Sequence, residues 1–394
     1  MKLLLFSMAS RRIVMGFLHV VRAIYFYLLG FSEIEVGLLL SVATIVSAFH
    51  HISFGVLSDR YGRKIFLLLG AVFATSRLAI FATTRNFWLL ALGQGLGAMG
   101  EGAGAGQPVV SGYVADKVKL KERLSVFNTL AVTNAVAASI GSAIAGLPQL
   151  FQNILGLDLV SAHLPLFWVG IVFSVLSFIP LLPIHDVAAE EEEKDEADRK
   201  VFNVRSRNVI LKFSLVRSTS GLGWGLIDSL VTLYFFIRFA IGSDVIGPVF
   251  AAARLMSILT YLFIPFVVAK LGEVGTIAWS RILSAVVTVA FAFTNWYPLA
   301  IVMLIIFRLL LMFTVPIRQY FATGIVDPNE TATAIGISNF ARMGARSAAP
   351  TLAGYMFQAA SLSMPFFMGA ALMAMNGFLY YAYFRPRKGS INSE

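Results

Sequence analysis

Two carboxylates stand inside long apolar stretches, and their position suits proton chemistry. Glu101 lies in the run Gly93-Gln94-Gly95-Leu96-Gly97-Ala98-Met99-Gly100-Glu101-Gly102, and Asp228 lies in the apolar run 208–238. A carboxyl withdrawn from water has its pKa raised, so it can load and release a proton near neutral pH; a neighbouring arginine opposes that shift. Similar surroundings hold His19, Arg22, Arg77, Arg254, Arg308, Arg318, Arg342 and Arg346. A charge at the centre of a bilayer costs roughly 2.5–3.5 kcal/mol on insertion scales, so such residues face protein or a water-filled cavity. Arg22, Arg254, Arg308 and Arg342 outnumber the two carboxylates, and a guanidinium surplus suits an anionic or carboxylate-bearing solute. The alternative is that Glu101 or Asp228 pairs with an arginine and only holds helices together. Catalysis has little to build on: there is no metal-ligand spacing, nucleophile elbow or phosphate loop. His50 and His51 are adjacent and so point about 100° apart on a helix, which makes them poor co-ligands. No catalytic residue, metal or cofactor is expected, and the chain is not expected to be an enzyme.

These charges need a membrane around them, and the composition supplies one. The chain has 394 residues, 58% of them hydrophobic and only 13% charged, with a mean hydropathy of +0.79. A soluble domain has far more polar surface to cover, so this is an integral membrane protein. The 34 Phe and 32 Gly fit packed, lipid-facing helices. No cysteine is present, so thiol chemistry is excluded. The formal charge of +10 reflects Lys and Arg in cytoplasmic loops rather than a nucleic-acid partner. Met1 to Phe6 begins like a signal peptide, but Arg11 and Arg12 interrupt the apolar run, so the first span is retained.

A span needs about 20 apolar residues. Spans are expected near 11–30, 36–57, 65–84, 87–111, 124–147, 163–182, 208–238, 245–268, 275–294, 297–322, 333–356 and 363–384. The connections alternate. One set is basic: Arg60, Arg63 and Lys64; Lys117, Lys119, Lys121 and Arg123; Lys194, Arg199, Lys200, Arg205 and Arg207; Lys270; Arg385, Arg387 and Lys388. The other set is poor in Lys and Arg, with Arg85 and Arg238 as exceptions. The positive-inside rule then puts both termini in the cytoplasm. Residues 184–206 are acidic, with Asp186, Glu190 to Glu193, Asp195, Glu196 and Asp198, and read as a solvated cytoplasmic linker. Calcium binding there lacks EF-hand spacing. Asn329-Glu330-Thr331 fits a glycosylation acceptor but falls on the cytoplasmic side.

The linker separates two halves, 1–183 and 207–394, that repeat. Aligned on one register, Pro108 meets Pro316, Glu122 meets Glu330 and Gly146 meets Gly354; on a slightly different one, Gly37 meets Gly247, Arg60 meets Lys270 and Gly62 meets Gly272. The expected fold is therefore all-α, with twelve transmembrane helices in two pseudo-symmetric six-helix bundles. In transporters so built, the solute site lies at the bilayer midplane where the repeats meet.

One loop carries a family signature. Between the second and third spans stands Gly55-Val56-Leu57-Ser58-Asp59-Arg60-Tyr61-Gly62-Arg63-Lys64. The pattern G-x-L-x-D-R-x-G-R-K resembles the loop between helices two and three of the major facilitator superfamily of transporters, and with the repeat the resemblance covers essentially the whole chain. Asp59-Arg60-Tyr61 also spells a receptor triplet, but here it ends the second of twelve spans, and that reading is discarded. Gln94-Gly95-Leu96-Gly97 resembles the family's fourth-helix motif, with Ala91 where the family has an arginine. Gly141-Ser142-Ala143-Ile144-Ala145-Gly146 is a degraded antiporter motif whose proline has become Ser142.

The resemblance implies roles. Gly55, Asp59, Arg60, Gly62, Arg63 and Lys64 would form the gating latch, and the second-half copy, Ala269-Lys270-Leu271-Gly272-Glu273, has lost the aspartate. Spans one, four, seven and ten would line a central cavity, flanked by two, five, eight and eleven. On that map Arg22, Tyr25, Trp224, Arg254, Arg308, Asn339 and Arg342 are the candidate substrate-binding residues, and Glu101 and Asp228 the proton carriers. Arg22, Tyr25 and Phe26 share a helix face, as do Trp224 and Asp228, while Ser338, Asn339, Arg342 and Arg346 form a polar stripe. Arg77 falls on a support helix and reads as structural. The expected protein is a plasma-membrane secondary transporter resembling prokaryotic efflux permeases: monomeric, embedded in lipid, and exporting a small organic solute against protons. The alternatives are uptake of an organic anion, and a non-transporting membrane sensor on the same fold.

Overall fold

Lipid offers no partner for a backbone N–H or C=O, so a chain this apolar satisfies its peptide groups within helices. A computed structural model describes residues 2–102, 108–184, 207–324 and 331–385; within its helices, the side chains of Asp59, Arg60 and Glu101 are among those outside the description. The described residues are helical apart from short connections, with no strand among them. The first half forms α1 (Lys2–Leu28), α2 (Glu33–Tyr61), α3 (Arg63–Thr83), α4 (Phe87–Gly102), α5 (Pro108–Lys117), α6 (Leu120–Ile144), α7 (Leu147–Leu155) and α8 (Leu164–Phe178). The second forms α9 (Arg207–Asp228), α10 (Val231–Phe239), α11 (Ser243–Thr260), α12 (Ile264–Phe293), α13 (Tyr297–Phe313), α14 (Val315–Gly324), α15 (Thr331–Ala359) and α16 (Met364–Phe384).

A helix lies at each expected span, but boundaries and continuity differ. α1 starts at Lys2 rather than near residue 11, because Leu4 and Met8 pack with Phe54, Phe66, Val114 and Leu130 in one apolar cluster. The seventh span is not one helix: it breaks at Ser229 and Leu230, directly after Asp228. The eighth and ninth run almost without interruption through a 3-10 turn at Tyr261–Phe263 into α12. Among the described residues, eight helical runs are long and apolar enough to cross a membrane, and one of them, Ser243–Phe293, contains two expected spans. The count of twelve crossings therefore stays with the sequence reading. The expected acidic linker lies outside the described residues, apart from its first residue.

The chain divides into two compact units: Met1–Phe202 with Thr232–Leu255, and Asn203–Val231 with Met256–Glu394. The division falls just after the break in the seventh span, so nearly all of α10 belongs to the first unit and α9 to the second.

Small residues set the packing of each unit. In the first, α1 and α6 touch backbone to backbone: a Cβ at Gly16 would collide with the Ala138 carbonyl oxygen, and one at Gly141 with that of Ile13. α11 approaches α6 in the same way, with Gly247 against the Ser142 carbonyl. In the second unit the corresponding seam joins α9 and α15. A Cβ at Gly221 would collide with the Arg342 carbonyl oxygen, and one at Gly225 with the Ala349 Cβ. Close approach at small residues four apart is a standard means of packing helices in lipid.

The aligned loop glycines share a backbone conformation. Gly62 has φ 90° and ψ 147°, and Gly272 has φ 68° and ψ 172°. Both have positive φ with extended ψ, a region that side chains oppose. At this one pair of aligned positions the backbone geometry matches as well as the residue type.

Candidate functional site

The α9–α15 seam delivers charge to one place. Gly225 brings α9 against the Arg346 backbone, and one turn later α9 ends at Asp228. A carboxylate at the carboxyl end of a helix sits against the negative pole of the dipole, so it needs cations close by. Two are supplied. Arg308 of α13 donates from Nη2 to Asp228 Oδ1 at 2.5 Å, and Arg346 Nη2 lies 3.8 Å from Oδ2. Side-chain exposure is 4% for Asp228, 11% for Arg308 and 38% for Arg346. The Asp228–Arg308 pair is thus largely desolvated, and Arg346 is its open side. One turn before Asp228, the Trp224 ring stacks on Phe307, the neighbour of Arg308, with centroids 5.7 Å apart and planes 17° apart. An ion pair beside an aromatic stack can hold a flat or amphipathic solute and can exchange a proton at the carboxylate.

The other predicted substrate residues are distributed. Asn339 accepts from Arg217 on the facing α9, and Arg342 lies one turn inward on the same stripe. In the first unit, Arg254 donates from Nη1 to the Ala138 carbonyl at 2.7 Å and to Ser142 Oγ at 2.8 Å, tying α11 to α6. Tyr25 is buried: its hydroxyl donates to the Phe81 carbonyl at 2.9 Å and its ring packs on Phe167 and His163. Arg22 is half-buried one turn before Phe26. Arg77 is buried against Gly97 and donates toward Met15 Sδ at 3.2 Å. The Glu101 side chain lies outside the described residues.

The described part of the signature loop grips its own unit. Arg63 Nη1 donates to Ser58 Oγ at 3.3 Å, and its guanidinium fills the space where Gly112 of α5 has no side chain. Lys64 Nζ donates to the Leu182 carbonyl at 2.6 Å. Gly55, Asp59 and Arg60 occupy the last two turns of α2, and their surroundings lie outside the described residues.

The sequence marks Arg346 only as part of the polar stripe and does not place it beside Asp228. Its one signal is its spacing of one helical turn from Arg342. Arg217 and Arg281 also lie inside expected apolar spans, the signal that marks Arg254 and Arg308, but nothing in their spacing links them to the other candidates.

Comparison with known proteins points in one direction. The sequence profile of the Major Facilitator Superfamily matches residues 3–350. An uncharacterized transporter of Buchnera aphidicola is 24% identical over 54% of this chain and 50% of its own length, so the chain spans about half of that relative. The quinolone resistance protein NorA of Staphylococcus aureus is 23% identical over 85% of this chain and 84% of its own. The crystal structure of the nucleoside transporter NupG superposes with a TM-score of 0.78 at 14% identity, covering 98% of this chain and 98% of that one.

Proposed function

Because the chain belongs to the major facilitator superfamily of transporters, we propose that it is a secondary active transporter moving a small organic solute across the cell membrane by alternating access. In this reading it works as a monomer, with twelve spans, both termini cytoplasmic, and the halves 1–183 and 207–394 as the two repeating bundles. Coupling is to protons and the direction is export. Similarity to a drug-resistance protein supports export, and the basic alternate loops support the orientation. The latch role of Gly55, Asp59, Arg60, Gly62, Arg63 and Lys64 rests on the complete signature.

The observation that carries the coupling proposal is the buried Asp228 between Arg308 and the half-exposed Arg346. Protonating Asp228 removes one charge of a desolvated pair and leaves Arg308 without its counter-charge. Breaking a buried pair from one side costs about 3–5 kcal/mol. A neighbouring guanidinium opposes protonation of a carboxylate, so in this reading Asp228 loads its proton only as a second conformation, or an anionic group arriving in the carboxylate's place, draws Arg308 away. Glu101 is the companion candidate in the first half. Trp224, Arg308, Asn339 and Arg342 from the second half, with Arg22, Tyr25 and Arg254 from the first, form the proposed solute-binding set.

The test is accumulation in proteoliposomes under an imposed pH gradient. Asp228→Asn is expected to abolish gradient-driven accumulation while solute exchange without a gradient persists. If Asp228→Asn and Glu101→Gln both retain pH-driven accumulation, neither residue carries the proton.

A second reading, uptake of an organic anion, is favoured by the half-exposed guanidinium of Arg346 beside Asp228. Thermal stabilisation by organic anions but not by lipophilic cations, lost in Arg346→Ala, would put this reading first.

A further inference from the structure

The second unit holds a second collection of arginines, separate from the Asp228 pair. Arg217 of α9, Arg281 of α12, Arg318 of α14 and Arg342 of α15 converge, so that each lies in the field of others. Arg281 feels Arg318, Arg217 and Arg342, and Arg342 feels Arg217 and Arg318 as well as Arg346. Arg217, Arg281 and Arg318 each stand one turn or less along their own helices from members of an apolar cluster that includes Phe213, Val216, Ile277, Ile317, Phe321 and Tyr380. Like charges gathered in low dielectric repel and are individually costly, so they persist only with compensation.

Described side chains provide little. Arg281 is 2% exposed; its Nη1 reaches only Met373 Sδ at 3.6 Å, and its Nε has no partner among the described residues. Room for it is left by Gly377 of α16, where a Cβ would meet Arg281 Cβ at 3.1 Å. Arg318 donates from Nε only to the Thr314 carbonyl of its own segment. Arg342 Nε is buried and unpartnered, and Arg217 reaches the neutral Asn339. Tyr380, 1% exposed and in the field of Arg281, Arg318 and Arg217, has a hydroxyl without a partner. No described carboxylate pairs with any of the four arginines; Asp228 is taken by Arg308 and Arg346.

We propose that Arg217, Arg281, Arg318, Arg342 and Tyr380 form an oxyanion-binding site in the interior of the second unit, taking a single compact phosphate, sulfate or carboxylate group. Several guanidinium forks and a hydroxyl present more donors than a monatomic ion can use, and they match the multiple acceptor oxygens of an oxyanion. Arg217, Arg318 and Arg342 are half-buried rather than sealed, which leaves the group a way in. The oxyanion has two possible sources, a free solute ion or the phosphate of an anionic lipid headgroup. The site shares no residue with the Asp228 pair, so it does not rest on the proton-coupling reading, but it shares Arg342 with the proposed solute-binding set.

The test uses the purified full-length chain in neutral detergent, stripped of lipid. Its melting temperature is followed against potassium phosphate and, at matched ionic strength, potassium chloride, then against phosphatidylglycerol and phosphatidylcholine. A saturable stabilisation by phosphate is expected, with an apparent affinity about tenfold to a hundredfold weaker in Arg342→Gln, the loss ordinary for a charge-assisted bond. Stabilisation by phosphatidylglycerol alone, with the same loss in the variant, supports the site and assigns its source to lipid. Tyr380→Phe, which keeps the ring and its packing, serves if Arg342→Gln does not fold, and it too must weaken the effect. Phosphate also stabilises proteins by exclusion from their surface, but that effect grows without saturating. A non-saturating rise, an effect unchanged in both variants, or no response to phosphate or to phosphatidylglycerol overturns the proposal.

Discussion

Asp228 ends α9 and accepts from Arg308 at 2.5 Å, a pair joined across 80 residues of sequence and almost shielded from solvent. Its energetics separate a structural role from a functional one. Asp228→Asn removes the carboxylate that Arg308 and Arg346 share and should destabilise the detergent-solubilised protein by about 3–5 kcal/mol, whereas Arg308→Gln leaves Arg346 3.8 Å from Asp228 and should cost less. The double variant should recover much of that stability but not pH-driven transport. A double-mutant cycle on melting temperature and accumulation checks both parts. Recovery of transport with stability would make the pair a helix clamp only.

Gly272 has open space around it yet a positive φ. Gly272→Ala should therefore cost about 1–3 kcal/mol through backbone strain alone, with Gly62→Ala behaving alike. A Gly272→Ala protein that melts with the wild type would mean this loop relaxes freely.

The α9–α15 seam makes the opposite case, where space rather than φ is limiting. Gly221→Ala drives a methyl into the Arg342 carbonyl oxygen, a backbone atom that moves only with its helix. Destabilisation of about 1–3 kcal/mol is expected, read as a lowered melting temperature. Gly336→Ala on α15, which faces open space, should be nearly silent.

Trp224, one turn before Asp228 on α9, stacks on Phe307, the chain neighbour of Arg308. If that stack forms one wall of the solute site, Trp224→Ala should raise KM about twofold to tenfold, the range expected for loss of one aromatic pair. Trp224→Phe should stay near wild type. Initial rates in proteoliposomes distinguish an effect on KM from one on kcat.

The signature loop is tested by turnover. Asp59→Asn should slow transport without lowering solute affinity, since a latch acts on the exchange between conformations rather than on the bound state. Unchanged turnover would reduce Asp59 to a topogenic residue. Lys64→Met, which also removes the bond to the Leu182 carbonyl, should slow turnover in the same way and lower the melting temperature as well.

Much of this molecule is legible in the chain. Apolar runs near 20 residues place a helix at every expected span, because lipid forces the backbone to satisfy itself locally. The match of Gly62 to Gly272 anticipates a shared positive-φ turn, because only glycine occupies that region at little cost. The signature loop points to the family, and the profile match over residues 3–350 shows it. Continuity is less legible: the seventh span reads as one apolar run, yet it breaks at Ser229, since hydropathy is blind to where a helix stops inside apolar sequence.

The sequence by itself determined which charges are forced into apolar surroundings; it could not determine their partners. Arg22, Arg254, Arg308 and Arg342 look alike along the chain, yet one neutralises Asp228, another ties α11 to α6 through a backbone carbonyl and a hydroxyl, and a third joins a cluster of its own kind. That choice depends on the depth and rotation at which helices dock. Docking is set by close contacts such as Gly221 against Arg342 and Gly225 against Ala349, and those contacts exist only once residues far apart in sequence have packed.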